Sequence, residues 1–322
     1  MKLLVTGGAG FIGSNFIKRQ IIQNPLGVVN ICVLDKLTYA GNLNNFTKSE
    51  LQQFELVQGD IRDASLVEKL MKDADIVVNF AAESHVDRSI TNASEFVQTN
   101  ILGTQVLLEN SVKFEVQKFV QVSTDEVYGS IDDGSWDEDC KLLPNSPYSA
   151  SKAGADLLVR SYNQTFGLNT NITRCSNNYG PYRYPEKAIP LFITNLLQDK
   201  EIPVYGTGSN VRDWLHVSDH CRGIELVIKR GRKGEIYNIG GGTEVTNIQL
   251  AKKIVSLLQK DSSKIEFVKD RLGHDKRYSV DTGKISRELG FLPEVDFEDG
   301  LLDTVKFYES NPEWWKSIVN KY

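Results

Sequence analysis

The chain is short of the features that define several protein classes. It has four cysteines in 322 residues, none with the spacing of a metal or redox motif, at Cys32, Cys140, Cys175 and Cys221. Scattered cysteines argue against a disulfide scaffold and favour a reducing cytoplasm. An apolar run of about 18 residues is missing, as is a charged-then-apolar leader. We therefore expect neither a membrane span nor a signal peptide.

An excess of positive charge is missing as well. The chain has 37 lysines and arginines against 42 acidic residues, which gives a formal net charge of -5. This balance provides no basic footprint for nucleic acid, so we expect no such partner. An anionic small molecule remains possible, because a pocket can be locally basic in an acidic protein.

Short apolar runs alternate with amphipathic stretches through the first half of the chain. Strands are predicted over residues 2–6, 30–34, 54–58, 76–80, 118–122 and 170–174. Helices are predicted between them over residues 14–23, 65–71, 100–113 and 148–166. The alternation predicts an α/β fold of the Rossmann type, in which a doubly wound parallel sheet is covered by helices on both faces.

The pattern loosens after residue 176. Helices are still predicted over residues 189–199, 246–260 and 300–310, the second of them capped by Thr246 or Asn247. We predict a Rossmann domain over residues 1–176, rejoined by about 212–240. The remainder, 177–322, is predicted to form a smaller, discontinuous C-terminal lobe that binds the substrate.

A strand, a glycine turn and a helix open the chain. The predicted strand 2–6 runs directly into the segment GGAGFIG. Glycines at this point permit a tight turn and a close approach of the backbone to a phosphate, which the amides of the following helix face. The spacing is one residue longer than the usual fingerprint. Its place between strand and helix nevertheless predicts a dinucleotide site at Gly7, Gly10, Phe11, Ile12 and Gly13.

Acidic residues follow the next two predicted strands. Asp35 lies roughly 20 residues past the turn, where an acid can bind both ribose hydroxyls and disfavours a 2′-phosphate. We therefore predict NAD as the cofactor rather than NADP, although Lys36 is a counter-signal. Asp60 follows the third strand, where it could hold the adenine amine. On sequence alone it could equally be a loop carboxylate or a helix cap.

Tyr148 and Lys152 stand four residues apart and so share one face of a predicted helix. A phenol with a pKa of about 10 is a poor base at neutral pH, but a nearby ammonium stabilises the phenolate and lowers that pKa. The pair could then take a proton from a sugar hydroxyl while hydride leaves for NAD. Because Tyr-x-x-x-Lys is common by chance, this hypothesis depends on the glycine turn.

Two consecutive carboxylates, Asp125 and Glu126, follow Thr124 at the end of a predicted strand. An isolated pair of this kind is usually a solvated loop. Here it lies at the carboxyl end of a parallel strand, where such folds place their ligands. Neighbouring carboxyls push their pKa values apart, so one can act as an acid while the other acts as a base.

With these motifs the chain resembles the extended short-chain dehydrogenases/reductases and, among them, the dTDP-glucose 4,6-dehydratases. The similar segments span the chain: GGAGFIG, DKLTYAGN, GDIRD, NFAAESHVDRS, STDEVYG, YSASK, TRCSNNYGP, PEKAIPL, VRDWLHVSDH, YNIGGG and DRLGHDKRY. One departure is Leu272, where the family's basic turn more often has proline.

The resemblance implies a hydro-lyase that converts dTDP-glucose to dTDP-4-keto-6-deoxyglucose. NAD oxidises C4, water is lost across C5 and C6, and the hydride returns to C6. Tyr148, assisted by Lys152, would remove the proton of the 4-hydroxyl, and Thr124 would bond the 4-oxygen. Glu126 would remove the C5 proton, and protonated Asp125 would donate to the C6 hydroxyl. The implied pathway is deoxysugar biosynthesis, such as that of dTDP-rhamnose.

The resemblance also implies the lining of the site, with no metal. Beyond the glycine turn, the cofactor would be contacted by Asp35, Lys36, Leu37, Thr38, Asp60, Ile61, Phe80, Ala81, Ala82, Glu83, Ser84, Thr99, Tyr148, Lys152 and Asn178. The nucleotide sugar would be contacted by Ser84, Thr124, Asn177, Lys187, Ala188, Ile189, Pro190, Leu191, Pro203, Val204, Tyr205, Arg212, Asn247, Asp270, Arg271, Leu272, Gly273 and His274. Three of these are cations suited to a pyrophosphate, namely Lys187, Arg212 and Arg271.

Related activities differ from this one by single features. A nucleotide-sugar 4-epimerase needs no carboxylate pair, and a UDP-glucuronate decarboxylase is not expected to have an acid at position 125. A UDP-glucose 4,6-dehydratase stays open, because one methyl and one hydroxyl change binding energy only slightly. A non-catalytic NAD-sensing protein on the same fold should have lost Tyr148, Lys152 or the carboxylates.

Two predicted helices carry apolar stripes longer than one sheet face needs. These are the helices over residues 100–113 and 148–166. Two such helices from each subunit could form a four-helix bundle, although the stripes could also be core alone. Together with the family resemblance, they predict a homodimer.

Overall fold

The structure, a computed structural model, describes residues 1–319. Its strands alternate with helices through the first 175 residues. The strands are β1 (Lys2–Thr6), β2 (Asn30–Asp35), β3 (Glu55–Gln58), β4 (Ile76–Asn79), β5 (Lys118–Thr124), β6 (Thr170–Cys175), β7 (Asn177–Tyr179), β8 (Ile202–Tyr205), β9 (Val211–His216), β10 (Ile236–Ile239), β11 (Glu244–Thr246) and β12 (Ile265–Val268).

The helices begin directly after the glycine turn. They are α1 (Phe11–Gln23), α2 (Lys48–Leu51), α3 (Ala64–Met71), α4 (Val86–Thr91), α5 (Ala93–Phe96), α6 (Thr104–Lys113), α7 (Pro147–Phe166), α8 (Ala188–Leu197), α9 (Val217–Arg230), α10 (Asn247–Leu257), α11 (Gly283–Leu289), α12 (Phe297–Ser310) and α13 (Pro312–Val319). A π-helical segment over Val97–Gly103 joins α5 to α6, and short 3₁₀ turns occupy Leu43–Asn45, Asp125–Tyr128 and Ser262–Lys264.

The central sheet has the order β10-β6-β5-β4-β1-β2-β3, and all of its strands are parallel. One face packs on α1, α9 and α11, and the other packs on α3, α6 and α7. The predicted α/β fold of the Rossmann type is therefore confirmed. Strand order reverses between β1 and β4, and a crevice at the carboxyl ends of those strands is where such sheets bind ligands.

Most element boundaries lie within two residues of those predicted from the sequence. Thr246 caps α10 in a capping box, as one of the two predicted alternatives has it. Four helix predictions are wrong at one end: the helix expected over 246–260 ends at Leu257, the helix expected over 300–310 begins at Phe297, and two others differ at their start. The helix expected from residue 14 begins at Phe11, because Gly10 already serves as its N-cap. The helix expected from residue 100 is π-helical before Thr104.

A second hydrophobic core lies beside the sheet and gathers residues from α8, α10, α12 and α13. Two small sheets accompany it, with the orders β11-β9-β7 and β12-β8. Segment β9 thus pairs outside the central sheet, whereas β10 extends that sheet next to β6. The division into a Rossmann domain and a C-terminal lobe stays a prediction. Within residues 1–319, no helix has the length and hydropathy to cross a membrane.

Candidate active site

A single cleft runs along the carboxyl ends of β1, β2, β4, β5 and β6. Its inner end is formed by the glycine turn after β1, and its outer end by the loop between β7 and α8. Parallel strands bring these ends together although their sequences are more than 100 residues apart. Both sets of residues singled out in the sequence, the dinucleotide motif and the catalytic candidates, therefore meet in one cavity.

The glycine turn leaves no room for side chains. Gly7 has a φ of +70°, and a Cβ there would lie 2.5 Å from the Ala81 amide nitrogen. A Cβ on Gly13 would lie 2.4 Å from the Gly7 carbonyl oxygen. Helix α1 starts at Phe11 with no side-chain cap and no acid in its first turn. Its leading amides thus form a cradle for an anion such as a pyrophosphate.

Asp35 is held by two backbone amides at the end of β2. The Ala9 amide donates to Oδ2 and the Leu37 amide donates to Oδ1, both at 2.8 Å. Each carboxylate oxygen accepts two hydrogen bonds, so one position per oxygen is left for a diol. Burial raises the pKa of Asp35 above its ordinary value, and the two amides oppose that shift. These two free acceptor positions fit a ribose with free 2′ and 3′ hydroxyls.

Lys36, the counter-signal in the sequence, is engaged with Asp60. Its Nζ lies 3.0 Å from the Asp60 carboxylate, which also accepts from the Arg62 side chain. Burial raises the pKa of Asp60, but Arg62 and Lys36 outweigh it and hold that pKa at about 2. The lysine charge is therefore matched by a carboxylate rather than presented alone to a 2′-phosphate.

Nearly all of the predicted cofactor residues line the cleft. Beyond the glycine turn these are Asp35, Lys36, Thr38, Asp60, Ile61, Phe80, Ala81, Ala82, Glu83, Ser84, Thr99, Tyr148, Lys152 and Asn178. Leu37 is outside this lining and supports the site only through its amide to Asp35. Thr99 belongs to the π-helical segment, whose Asn100 accepts from the Glu83 amide at 2.9 Å.

Asp125 is almost fully buried at the start of the 3₁₀ turn after β5. Its Oδ1 accepts from the Thr124 hydroxyl at 3.2 Å, while its Oδ2 is buried without a hydrogen-bond partner. Burial raises the pKa of Asp125 well above its ordinary value, and the charge of Glu126 adds to that shift. Burial without a partner favours the protonated form of such a carboxyl, and the protonated form can act as an acid.

Three cations face the neighbouring Glu126. Burial raises the pKa of this carboxyl, whereas Arg271, Lys187 and Arg212 lower it. Asp125 and Glu126 thus differ in environment, since the cations act mainly on the second carboxyl. That difference fits an acid next to a base, as their adjacency in the sequence suggests.

Helix α7 places Tyr148 and Lys152 in the lining of the same cleft as these carboxyls. The helix begins at Pro147 behind a capping box formed by Ser146 and Ser149, so its first turn is firmly set. Lys152 Nζ donates to the Val122 carbonyl oxygen of β5 at 2.6 Å.

The structure differs from the sequence-based expectation about the pKa of Tyr148. Burial raises that pKa well above its ordinary value, and the Glu126 charge raises it further. The hydrogen bond with Thr124 lowers it only in part. The prediction that Lys152 lowers the pKa of Tyr148 is wrong for this arrangement. The ammonium is directed at a carbonyl group, and desolvation outweighs the remaining effects.

Four of the predicted substrate residues line the cleft: Ser84, Thr124, Asn177 and Lys187. Lys187 Nζ donates to the Ser84 carbonyl oxygen at 2.8 Å, and burial together with Arg183 lowers its pKa to about 8. Arg271 has a buried Nε without a hydrogen-bond partner. An unsatisfied guanidinium donor near Lys187 and Arg212 is suited to an anionic ligand.

The other predicted substrate residues lie outside the lining of this cleft. Ile189, Pro190 and Val204 are buried, with Ile189 and Val204 in the second core, so their side chains are not available to a ligand. The rest occupy the start of α8, the end of β8, strand β9, the start of α10 and the turn after β12: Ala188, Leu191, Pro203, Tyr205, Arg212, Asn247, Asp270, Arg271, Leu272, Gly273 and His274. In that turn His274 Nδ1 lies 2.6 Å from Asp270, and the Tyr205 ring packs edge-on against the imidazole.

Sequence reasoning missed the loop before α8. Tyr182, Arg183, Tyr184 and Glu186 all line the cleft, yet we assigned none of them. Burial lowers the pKa of Arg183 to about 10. The segment YRYPEK follows the family-like segment TRCSNNYGP directly, overlaps the start of PEKAIPL, and combines two rings with three charges. That density of aromatic and charged residues in a loop was the signal available.

Comparisons with known proteins agree with this geometry. The family model described as GDP-mannose 4,6 dehydratase matches residues 4–304. A dTDP-glucose 4,6-dehydratase of Actinoplanes sp. is 54% identical to the chain, covering 98% of this chain and 100% of its own length. The crystal structure of DesIV, a dTDP-glucose 4,6-dehydratase from Streptomyces venezuelae with NAD and TYD bound, is 55% identical. It covers 99% of this chain and 100% of its own, with a TM-score of 0.96.

The fold alone does not decide between activities. A UDP-glucose 4-epimerase of Thermotoga maritima, solved with UDP-glucose, has a TM-score of 0.90 but is only 29% identical, covering 97% of this chain and 100% of its own. The family match and the relatives above 50% identity over nearly the whole length carry the assignment instead. The chain therefore belongs to the GDP-mannose 4,6 dehydratase family, and it resembles that family's dTDP-glucose 4,6-dehydratases over its full length.

Proposed function

We propose that this protein is an NAD-dependent dTDP-glucose 4,6-dehydratase, a hydro-lyase of deoxysugar biosynthesis. The observation that carries the proposal is the Asp125 carboxyl, buried with an unpartnered oxygen next to Glu126 and in the same cleft as Tyr148. An epimerase has no use for a protonated carboxyl beside a second one, whereas elimination of water needs an acid and a base. The relatives named as dTDP-glucose 4,6-dehydratases support the choice.

The residues at the inner end of the cleft fit NAD. The α1 amides would hold its pyrophosphate, Asp35 would accept from both ribose hydroxyls, and Ala81 would lie close to the backbone of the turn. When bound, NAD would supply hydride chemistry at the sugar, accepting a hydride from C4 and returning it at C6. DesIV, which is similar to this chain, is a structure with NAD bound.

The first proton transfer is assigned to Tyr148. Its phenolate form would accept the proton of the 4-hydroxyl, and Thr124, which shares a hydrogen bond with Tyr148, would orient the 4-oxygen. Lys152 would act mainly on position, because its Nζ is bound to the Val122 carbonyl group. Because the pKa of Tyr148 is raised, the phenolate is the stronger base once it has formed, and the phenol is the weaker acid.

The second and third transfers are assigned to the carboxyl pair. A carbonyl group at C4 acidifies the proton on C5, which is why oxidation has to precede elimination. Glu126, with its charge supported by three cations, would remove that proton. Asp125 would donate its own proton to the C6 hydroxyl, so that the leaving group departs as water rather than hydroxide.

The assay that tests this function compares two nucleotide sugars. We expect purified protein, without added NAD, to convert dTDP-glucose to a 4-keto sugar, measured as absorbance near 320 nm after alkali (an approximate wavelength for the enolate). UDP-glucose should react much more weakly. A strong signal with UDP-glucose and none with dTDP-glucose would overturn the substrate assignment. NAD bound without turnover of either sugar would favour a sensing protein instead.

We also propose that two copies associate through α7 and the π-helical segment. Val97, Leu102 and Leu157 are 50%, 47% and 58% exposed, so apolar side chains lie on the outside of these helices. A pair of helices from each copy would form the four-helix bundle expected from the sequence.

The free cysteines also support placing the protein in the cytoplasm.

The association has a direct test in solution. Leu157→Lys places a charge in the proposed interface, so light scattering should show the mass falling from two chains to one. The matched control is Leu292→Lys, since Leu292 is 63% exposed and follows α11, on the opposite face of the sheet. An unchanged mass for Leu157→Lys, or a monomeric wild type, contradicts the proposed dimer.

A further inference from the structure

We propose that Tyr128 is a positioning residue that fixes the Asp125–Glu126 turn relative to helix α7, acting through Arg174 and Asp156. This inference rests on the proposed dehydratase function, because it concerns the spacing of that reaction's acid and base. None of the three side chains lines the cleft. They form a buried chain of hydrogen bonds behind it.

The chain of contacts is continuous from the turn to the helix. Arg174 Nη1 donates to the Tyr128 hydroxyl at 2.8 Å, and Arg174 Nε donates to Asp156 Oδ2 at 2.9 Å. Asp156 lies one turn after Lys152 on α7, and Tyr128 is the last residue of the 3₁₀ turn that begins with Asp125. The two catalytic segments are thus joined by three side chains.

Strand β6 provides the middle of this link. Arg174 pairs with Ser123 of β5, immediately before Thr124, so its backbone is already in register with the start of the turn. Helix α7 is also tied to β5 through Lys152 and the Val122 carbonyl group. Helix α7 is therefore hydrogen-bonded to β5 through Lys152 and to β6 through Asp156. The contact with β6 continues from Arg174 to Tyr128, in the turn that carries the two carboxyls.

The far side of Tyr128 is fixed as well. Its hydroxyl donates to Asn238 Oδ1 at 2.8 Å, and Asn238 Nδ2 donates to the carbonyl oxygens of Trp136 and Asp281. The Tyr128 hydroxyl thus accepts one bond and donates another, which leaves it a single orientation. Tyr128, Arg174, Asp156 and Asn238 are all nearly inaccessible to solvent.

Stability is a poor explanation for such a link. A buried Arg–Asp pair often adds little net stability compared with apolar residues of the same size, because both charges lose their hydration. What a network of this kind gives is one arrangement of the elements it joins. At this place the elements joined are the two that hold the proposed proton donors and acceptors, where an error of about 1 Å can cost up to about 100-fold in rate.

The test is Tyr128→Phe, which removes one oxygen atom and keeps the ring. We expect kcat for dTDP-glucose to fall about 10-fold with KM little changed, because substrate contacts are untouched while the turn loosens. Reduced nicotinamide should accumulate during turnover, since oxidation by the Tyr148 side is spared and elimination is slowed. Hydrogen exchange of amides 124–129 should rise by a similar factor, a readout that needs no turnover.

Two further variants separate position from general stability. Tyr237 lies on β10, away from the cleft, and its hydroxyl is hydrogen-bonded to Arg232 and Glu288. Tyr237→Phe removes this hydroxyl and should leave kcat and the hydrogen exchange of amides 124–129 unchanged. Arg174→Lys keeps the charge but cannot bridge Asp156 and Tyr128 with a fork, so it should reproduce the effects of Tyr128→Phe.

The outcomes distinguish this inference from the proposed function. If wild type is active and Tyr128→Phe has the same kcat, the positioning role alone is overturned. It is also overturned if Tyr128→Phe has a lower kcat but accumulates no reduced nicotinamide and shows no change in hydrogen exchange. Equal losses in Tyr128→Phe and Tyr237→Phe also overturn it, since that pattern reports stability. A wild type without dehydratase turnover overturns the proposed function first and leaves the hydrogen exchange to decide the structural part.

Discussion

Asp125→Asn is expected to lower dehydratase turnover by about 1000-fold while leaving the first oxidation intact. Asparagine has the shape of the carboxyl but no proton to give, so the C6 hydroxyl would have to leave as hydroxide. Tyr148 and Thr124 are unchanged and can still act at the 4-hydroxyl. On mixing with dTDP-glucose, the absorbance of the protein in the near ultraviolet should therefore rise and stay high, because the nicotinamide is reduced and remains so.

Stability provides a control for that variant. Because burial raises the folded-state pKa of Asp125 above its unfolded value, its contribution to stability is present at low pH and lost as pH rises through the raised pKa. Asparagine does not titrate, so Asp125→Asn should unfold at the same or a higher temperature than wild type at neutral and alkaline pH. Such a gain in stability with loss of activity is common at functional sites.

A surface carboxyl completes the comparison. Asp132 is exposed and lies 3.7 Å from Lys276 in the loop after the 3₁₀ turn, so Asp132→Asn should leave turnover unchanged. Full turnover in Asp125→Asn would show that the acid is another group. Loss of turnover without any reduced nicotinamide would mean that Asp125 is needed for oxidation and would contradict its assignment to elimination.

The inner end of the cleft was predictable from the sequence because its signals are local. A glycine that must have positive φ, a helix without a capping side chain and an acid after the next strand each follow from a short segment. Parallel pairing then brings these segments to one edge without further information. The predicted cofactor residues therefore all line the cleft, apart from the side chain of Leu37.

The outer end was harder because its positions depend on packing between distant segments. Ile189 and Val204 were predicted to contact the substrate, but in the structure both are buried in the second core. Arg183 belongs to no motif, and it lines the cleft through the path of the loop between β7 and α8. Likewise, no pattern of residues predicts that Lys152 Nζ donates to the Val122 carbonyl oxygen. The pKa prediction for Tyr148 was wrong because it took no account of this contact or of the burial of the phenol.

Tyr148→Phe should abolish both the oxidation and everything that follows it. Phenylalanine has no phenolic oxygen to take the proton of the 4-hydroxyl, so we expect turnover to fall by about 1000-fold or more. In contrast to Asp125→Asn, no reduced nicotinamide should appear. Loss of one hydroxyl from a buried ring should leave the melting temperature and the amount of bound NAD close to those of wild type.

The pH dependence of the oxidation makes this assignment sharper. The base form of Tyr148 is scarce at neutral pH because its pKa is raised, so the rate of nicotinamide reduction should increase as pH rises toward that pKa. Asp125→Asn is the right background for the measurement, since its later steps are blocked. The double variant with Tyr148→Phe should show no such rise. If the double variant reduces nicotinamide at a rate within about 10-fold of that of Asp125→Asn, with the same pH dependence, the proton transfer belongs to a group other than Tyr148.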